Sequence, residues 1–495
     1  MDPTLRLRGL CVSSSLLALT ALALSLGCTP RPAVVVAPRI SPEVLAARLA
    51  EADGLASRGC YLCLKEAAAA YAALLAETDE LTVRIRALEN NLMVAIREIE
   101  LRIPDSGARE AALQLQDTLP VSYAAYFNVL DVVDPAQPLY VRGEPLLLKE
   151  KYGEQLKLLG ELETETSGSA MKAYFFLALV IQTRQFKDIK EQIGAIPAAH
   201  PQDLSLQYRL LAFQPTYSPE GARALIGRET GFGEVHLLIG QRALLNGNIA
   251  GAYRELTRAR ELLPDSVSIA LALANVTFSY ARYADALVLF DRILASPAAA
   301  GFRPQAQLGR AKSLSYLKRH DEAIAQLIDL LQNDPRNSPG EKYYWRAWNQ
   351  LQLARAQLAY DDAMAGLNAM RNDAIYRLAG MASFSLDRKA EARSHFQEAL
   401  KMNSADCDSE RYLGLLDSAE QSWTPAAGRF KAAASCYEVI IGRLQIELAE
   451  LEKDITGLSN GLIAAKRVEI REAQALRDQS ILNVAAATRN VSPGR

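Results

Sequence analysis

The chain has 495 residues, and its 55 basic and 57 acidic side chains give a formal net charge of −2. This balance argues against a nucleic-acid partner, which requires a concentrated basic face, and the length allows either several compact domains or one long array. Half of the residues are hydrophobic but only 7% are aromatic, and alanine and leucine dominate. Such a composition favours close-packed helices over sheets.

Residues 1–28 have the organisation of a targeting segment. Arg6 and Arg8 form a basic region, and an apolar run follows from Leu16 to Leu26. The run is too short to span a membrane comfortably. The final tetrapeptide, Ser25-Leu26-Gly27-Cys28, resembles a bacterial lipobox with its leucine one place early. The resemblance implies that Cys28 becomes a lipidated N-terminus.

Two other interpretations of this segment are ordinary cleavage after Ala23 and an uncleaved anchor over Leu10–Pro30. All three place the rest of the chain outside the cytoplasm. The resemblance to lipoproteins also implies the outer membrane, because Thr29 rather than an aspartate follows the cysteine. Residues 29–40 contain three prolines and no helical period, so we expect a tether there.

Helices are predicted from Ser41 onward, with Ser41 as an N-cap and Pro42 at the first helical position. We expect residues 41–104 to hold one isolated helix pair, carrying Ala67 and Tyr71, and a long helix over about 81–102. Residues 105–232 are predicted to be helical but irregular. They are either diverged repeats that continue an array or a separate helical domain.

Residues 233–440 contain one pattern six times: a small residue, an alanine twelve positions later, and a bulky apolar residue four further on. The alanines are 34, 37, 40, 29 and 34 residues apart, a spacing typical of helix-pair repeats. The fourth copy departs from the pattern, with leucine in the small position. The copies are Gly240, Ala252, Leu256; Ala274, Ala286, Phe290; Ala311, Ala323, Leu327; Leu351, Ala363, Leu367; Gly380, Ala392, Phe396; and Gly414, Ala426, Phe430.

Small residues at two fixed positions let two helices approach closely, and the bulky residue fills the gap to the next pair. Pro264 and Pro335 stop the second helix of two copies. This pattern resembles the tetratricopeptide repeat family. The resemblance implies an all-α fold, a superhelical α-solenoid of antiparallel helix pairs.

Residues 441–495 are predicted to form a C-terminal helical hairpin that breaks at Gly457–Gly461. The hairpin either caps the open end of the solenoid, which terminal repeats require, or makes a coiled-coil contact with another subunit.

Four cysteines lie beyond the signal segment. In repeat register, Cys407 begins the first helix of the last repeat and Cys436 ends its second helix. Because antiparallel packing brings these ends together, we predict a disulfide between them. Cys60 and Cys63 form a CxxC motif, which we interpret as a structural disulfide or as two half-buried core cysteines, because the strand-to-helix framework of redox motifs is absent.

The family resemblance also implies a candidate groove, lined by the first helix of each repeat, for an extended peptide or a partner helix. The repeat positions that contact ligands in the family correspond here to Gln241, Leu244, Asn275, Phe278, Lys312, Arg377, Met381 and Phe384. A second cluster, Tyr343, Tyr344, Trp345 and Trp348, is interpreted as packing between repeats rather than as a ligand platform.

The four histidines lie far apart, and the sequence has no HExxH, GxSxG, P-loop or dinucleotide-binding motif. We therefore expect no catalytic site, metal or cofactor. The predicted function is a lipid-anchored scaffold or adaptor that binds protein partners in a bacterial envelope, facing the periplasm. The alternatives are a lipidated assembly factor for an outer-membrane, pilus or secretion complex, and an enzyme whose site lies within residues 105–232.

Overall fold

The computed structural model describes residues 40–120, 199–212, 217–454 and 456–491, with a few positions between 123 and 178. The predicted signal with Cys28, and all but the last residue of the predicted tether, lie outside these ranges. Much of the irregular segment 105–232 lies outside them too. Within the described ranges, all regular structure is helical.

Six helices precede the repeat array, and thirteen follow from residue 233 to residue 491 among the described residues. The first six are α1 (Pro42–Ser57), α2 (Tyr61–Leu75), α3 (Leu81–Leu101), α4 (Ala108–Gln116), α5 (Leu204–Ala212) and α6 (Pro219–Arg228). The array contains α7 (Gly233–Leu245), α8 (Ile249–Leu262), α9 (Val267–Ser279), α10 (Tyr283–Ala295), α11 (Arg303–Tyr316), α12 (His320–Asn333), α13 (Pro339–Gln352), α14 (Ala356–Ala369), α15 (Asp373–Ser385), α16 (Lys389–Met402), α17 (Cys407–Ala419) and α18 (Trp423–Leu451), and α19 (Asn460–Val491) ends it. A 3-10 helix, Pro297–Phe302, joins α10 to α11.

The array consists of six helix pairs, which we number as repeats 1 to 6 from α7–α8 to α17–α18; the first member is helix A and the second is helix B. In repeats 1, 2, 3, 5 and 6 the predicted small, alanine and bulky positions are all buried, as expected. Gly240 approaches Leu256 so closely that an added Cβ would lie 2.6 Å from Leu256 Cγ. Phe396 fills the same space beside Gly380 in repeat 5.

The fourth copy is shifted by four residues from its predicted register. In each of the other five repeats, helix B begins three residues before its buried alanine. Helix α14 begins at Ala356, so by the same offset the alanine of repeat 4 is Ala359 and not Ala363. The small position is Ala347, and the bulky position is occupied by Ala363, so Tyr344 and Trp348 from helix A provide the missing volume. In the corrected register the alanines 252, 286, 323, 359, 392 and 426 are 34, 37, 36, 33 and 34 residues apart.

The turn inside each repeat has the same backbone conformation. One residue, two positions after the end of helix A, adopts a left-handed φ: Gly247, Ala281, Lys318, Ala354, Asp387 and Gln421 in repeats 1 to 6. Left-handed φ costs a non-glycine residue roughly 1–2 kcal/mol. Five repeats meet that cost to keep one turn geometry, and Ala354 supports the corrected register of repeat 4.

The helix A side of the array is its inner surface. Helix A of each repeat packs against helix A of the next repeat from α7 to α17. Among the described residues, helices B of neighbouring repeats do not pack on each other to the same extent. The inner and therefore concave surface is lined by helices A, as the groove prediction requires.

The N-terminal helices attach to the start of the array. Ser41 caps α1 by accepting a hydrogen bond from Val44 N, as predicted, and α1 pairs with α2. The last carbonyls of α3 accept bonds from the first turn of repeat 2: Ser266 Oγ lies 2.7 Å from Leu101 O, and Ser268 Oγ lies 3.1 Å from Glu100 O. These contacts satisfy the free carbonyls of a helix C-terminus.

A buried polar cluster strengthens the same junction. Arg97 is fully buried; its guanidinium lies 2.8 Å from Glu100 and 4.2 Å from the centre of the Tyr208 ring. Glu234, on the first turn of repeat 1, accepts a 2.7 Å bond from Tyr61 N. Burial raises the pKa of Glu234 to about 7, an effect that Arg97 opposes. The N-terminal helices and the array therefore share one interior.

The C-terminal hairpin is continuous with the last repeat. Helix B of repeat 6 does not stop after 14 residues, as α16 does, but runs for 29 residues as α18. The boundary placed between residues 440 and 441 therefore lies inside one helix. Helix α19 runs back along α18, and Ala487 packs with Ala426 and Phe430 of repeat 6.

Gly309→Ala tests the packing between repeats. Gly309, on α11, is buried, and a Cβ there would overlap the ring of Phe290, which is itself fully buried in repeat 2. Because overpacking of this kind costs roughly 1–3 kcal/mol, we expect a lower urea midpoint by far-UV circular dichroism. The control is Gly442→Ala, also helical, where a Cβ meets nothing within 4 Å. Equal midpoints for the two variants would contradict this packing.

Candidate functional site

The eight residues predicted from the repeat register all lie on helices A, and they divide into three groups. Gln241 and Asn275 are exposed. The apolar members are half-buried and pack on their neighbours; they are Leu244, Phe278, Met381 and Phe384. The third group consists of the two cations, Lys312 and Arg377, which are also half-buried.

Both cations are paired with acids of the following repeat. Lys312 forms an ion pair with Glu341 in repeat 4, and Arg377 Nη1 lies 3.1 Å from Asp406 Oδ1 at the start of repeat 6. The Asp406 carboxylate also caps α17 by accepting from Ser409 N. Since these positive charges are neutralised within the array, the groove offers amides and apolar surface more readily than free cations.

A continuous set of aromatic rings crosses repeats 2 to 4 and includes Phe278 of the predicted groove. We call Phe278, Tyr283, Tyr316, Trp345 and Trp348 the aromatic ladder. The rings of Tyr283 and Tyr316 are stacked with centroids 4.4 Å apart, and Phe278 meets Tyr316 edge-on at 5.6 Å. Tyr316 continues to Trp345 at 5.7 Å. Such pairs are each worth about 0.5–1.5 kcal/mol beyond the area they bury.

The ladder remains accessible although its rings contact one another. Tyr316 is 46% exposed, whereas Trp345 and Trp348 are half-buried. Lys312 Nζ lies 6.0 Å from the Trp345 ring centre. The Tyr343–Trp348 cluster thus has both roles: Tyr344 and Trp348 pack between repeats, as predicted, while Trp345 also belongs to the ladder.

The repeat register predicts only Phe278 of this ladder as a groove residue. Tyr283 is the first residue of helix B and Tyr316 the last residue of helix A, so the rings occupy different repeat positions. The stacking of successive repeats brings these positions together. The available signal was the density of aromatic residues between 278 and 348 in a chain with few of them.

The C-terminal hairpin approaches the ladder. Burial raises the pKa of Tyr283 to about 12, and the neighbouring Tyr316 and Glu469 add to the shift. Burial also raises the pKa of Tyr316, with contributions from Tyr344 and Glu469. The Glu469 carboxylate of α19 is therefore near enough to both tyrosines for its charge to favour their neutral forms.

The two cysteine pairs lie at disulfide distance. Cys407 and Cys436 have Cα atoms 5.4 Å apart, and Cys60 and Cys63 have Cα atoms 5.1 Å apart. The first pair joins the start of α17 to the middle of α18, as its position in repeat 6 requires. An open cavity beside it is lined by Arg377, Tyr437 and Arg443, among others.

Cys60 and Cys63 are both buried, at the N-terminus of α2. The sequence did not indicate that Glu229 comes close to them; together they are the one trio of potential metal ligands within the described ranges. Glu229 already accepts a 2.6 Å bond from Arg58 Nε and one from Gly231 N. Disulfide sulfurs are not thiolate ligands, and the Glu229 carboxylate already has hydrogen-bond partners. We therefore interpret the trio as packing between the N-terminal helices and the array.

Three of the four histidines have structural neighbours. His236 Nδ1 lies 2.8 Å from Glu255 Oε2, which joins the two helices of repeat 1. His320 Nδ1 lies 2.8 Å from Asn349 Oδ1, which joins repeats 3 and 4. Burial lowers the pKa of His395. These positions hold helices together.

Comparison with known proteins gives similarity over part of the chain. No protein-family model and no curated protein matches the sequence. A structure of PilF from Pseudomonas aeruginosa aligns with 41% of this chain and 90% of its own length, at 18% identity and a TM-score of 0.36. A thermophilic TPR protein from Thermus thermophilus aligns with 37% of this chain and 98% of its own, at 16% identity and 0.31. YrrB, described as a TPR protein with an unusual peptide-binding site, aligns with 38% of this chain and 95% of its own, at 12% identity and 0.30. Scores this low carry no information about a shared function.

We predict that the Cys407–Cys436 disulfide stabilises repeat 6. Closing a loop across a sequence separation of 29 is worth about 3–4 kcal/mol on the loop-entropy model, against about half of that for the separation of 3 between Cys60 and Cys63. Replacing Cys407 and Cys436 by alanine should therefore accelerate amide hydrogen exchange in α17 and α18 more than the same double replacement accelerates it in α2. Peptide mapping under alkylating, non-reducing conditions that finds Cys407 and Cys436 free would contradict the prediction.

Proposed function

We propose that this chain, a tetratricopeptide-repeat protein by its six stacked helix pairs, is a scaffold or adaptor that binds protein partners in its concave groove. The observation that supports this function best is the aromatic ladder, because it presents connected ring faces, with Tyr316 46% exposed. Aromatic side chains are enriched where proteins bind one another, and they supply much of the binding energy.

The chemistry around the ladder favours a peptide in an extended or helical form. Exposed amides at Gln241 and Asn275 can donate to and accept from backbone groups of a bound segment. The ladder offers flat apolar surface for its side chains. Since Lys312 and Arg377 are already paired with acids, a segment recognised by its apolar side chains fits better than one recognised by a terminal carboxylate.

Rigidity is the physical advantage of such a surface. The ladder rings are held by each other and by helices A, which pack along the whole array. Binding to ordered side chains avoids the cost of immobilising them, about 0.5–1.5 kcal/mol for each long side chain. The proposed mechanism is therefore recognition by a preformed surface.

We further propose that the scaffold works in a bacterial envelope, attached by a lipid on Cys28 and facing the periplasm from the outer membrane. The signal-like organisation of residues 1–28 supports this proposal. Two cysteine pairs at disulfide distance also support an oxidising compartment. Three acyl chains would hold the protein stably, because one chain binds only marginally.

Of the helices within the described ranges, none has the length and hydrophobicity needed to cross a bilayer.

Site-specific photo-crosslinking in intact cells tests the groove. A benzoylphenylalanine at Gln241 or Asn275, on helices A of repeats 1 and 2, should capture one discrete partner band. The matched controls are Arg254 and Val288, which are exposed on helices B of the same repeats. We expect the yield of crosslinked partner from the helix A positions to exceed the yield from the control positions at least several-fold. Equal capture from both helices would count against the groove, and mass spectrometry of the band identifies the partner.

The lipid anchor has a separate test. Mass analysis of the mature N-terminus should find an acylated Cys28, and globomycin should block processing. Cys28→Ala should release the protein into the soluble periplasmic fraction or leave it unprocessed. A mature protein that begins after Ala23 without a lipid would refute the anchor but leave the groove unaffected.

A further inference from the structure

The C-terminal hairpin connects two distant parts of the array. Helix α19 has 32 residues and is therefore about 48 Å long at 1.5 Å per residue. One end lies on repeat 6, where Ala487 and Val484 pack with Phe430 and Trp423. The other end reaches repeat 2. A helix of this length is needed because three repeats lie between its two points of contact.

The tip of the hairpin lies on the turn between the two helices of repeat 2. A Cβ at Gly461 would lie 2.7 Å from the carbonyl oxygen of Tyr280 and 3.2 Å from Arg282 Cγ, so only glycine permits this approach. Leu458 and Leu462 pack against the hydrophobic cluster that contains Tyr280. The acidic side chain of Asp454 contributes to the raised pKa of Tyr280, after burial.

The first turn of α19 lies beside the start of α10, where Tyr283 of the ladder directly follows the Tyr280–Arg282 turn. Glu469 lies two helical turns after Gly461, and its negative charge contributes to the raised pKa of Tyr283 and of Tyr316. Lys466, one turn before it, pairs with Glu469 at 3.1 Å and with Glu447 of α18 at 3.0 Å. These ion pairs hold the first turns of α19 on α18.

The two helices of the hairpin pack on each other far more extensively than the hairpin packs on repeat 2. Helices α18 and α19 share an apolar seam in which Ile470 and Ala473 meet Ile441 and Leu444. Arg477 lies 2.8 Å from Glu438, and a second pair joins Arg467 to Glu452 at 2.7 Å. The tip contact, by contrast, involves one turn of backbone and two leucines. Release of the tip would leave the hairpin folded.

We propose that the hairpin is a strap that ties repeat 6 to repeat 2, with its tip seated on the Tyr280–Arg282 turn directly before Tyr283, and that a partner segment extends along the ladder past Tyr283 only when the tip leaves this turn. The competition with a partner rests on the proposed groove function. The strap contact does not, because it lies within the chain itself. Partner binding is then coupled to the position of α19.

The test uses the full-length chain with benzoylphenylalanine at Tyr316. When glycine is kept at position 461, we expect an internal crosslink to the α19 peptide around Glu469, identified by peptide mapping. Gly461→Ala should reduce this crosslink several-fold, because the new Cβ meets the Tyr280 carbonyl, and should raise the yield of intermolecular adducts in cells. Gly428→Ala is the control, since a Cβ at that helical glycine meets nothing within 4 Å. Far-UV circular dichroism checks that both variants are folded.

The outcomes separate the strap from the groove. An absent internal crosslink, or equal yields from Gly461→Ala and Gly428→Ala, overturns the strap. A reduced internal crosslink with unchanged capture of a partner overturns the competition but leaves the groove function intact. A reduced internal crosslink with no partner captured from any groove position supports the strap contact and rejects the groove function, and the competition with it.

Discussion

The structure depends on one contact, made in each of the six repeats: a small residue of helix A lies against the turn of helix B that begins with a buried alanine. Where the small residue is glycine, as in Gly240, Gly380 and Gly414, a bulky side chain of helix B occupies the space that a Cβ would need. No single pair can bury that side chain, so each repeat depends on its neighbour. Close approach of the two helices therefore determines how repeats stack.

The functional surface is a consequence of that stacking. Helices A meet on the inner side and share ion pairs between successive repeats, such as Arg377 with Asp406. These ion pairs neutralise cations that the repeat register alone would predict to contact a ligand. The rings of the ladder come from three successive repeats and meet only when these repeats stack. The proposed binding surface thus forms between repeats, whereas the small, alanine and bulky positions lie within one pair.

This difference explains what the sequence could predict. Positions buried within one pair repeat along the chain, so Ala252 and Phe396 could be identified from spacing alone. Repeat 4 was misplaced because its bulky position holds Ala363, which together with Leu367 four residues later imitates the alanine and bulky pair. Only the start of α14 at Ala356 identifies Ala359 as the alanine. Tyr316 and Glu229 could not be identified as site residues, because their neighbours come from other helices, at no fixed separation in sequence.

The hairpin changes the mechanics of an otherwise linear array. In a solenoid each repeat interacts with its neighbours only, so the curvature can vary along its length and the stability is a sum of local terms. A helix that starts at Tyr280 in repeat 2 and ends on repeat 6 adds a contact between repeats that are far apart. Bending the intervening repeats must then strain either that contact or the α18–α19 seam. Since the seam is longer and includes ion pairs, the strain falls on the Gly461 contact, next to the exposed tyrosines. The part of the surface with the most accessible aromatic area is therefore also the part most sensitive to the shape of the array.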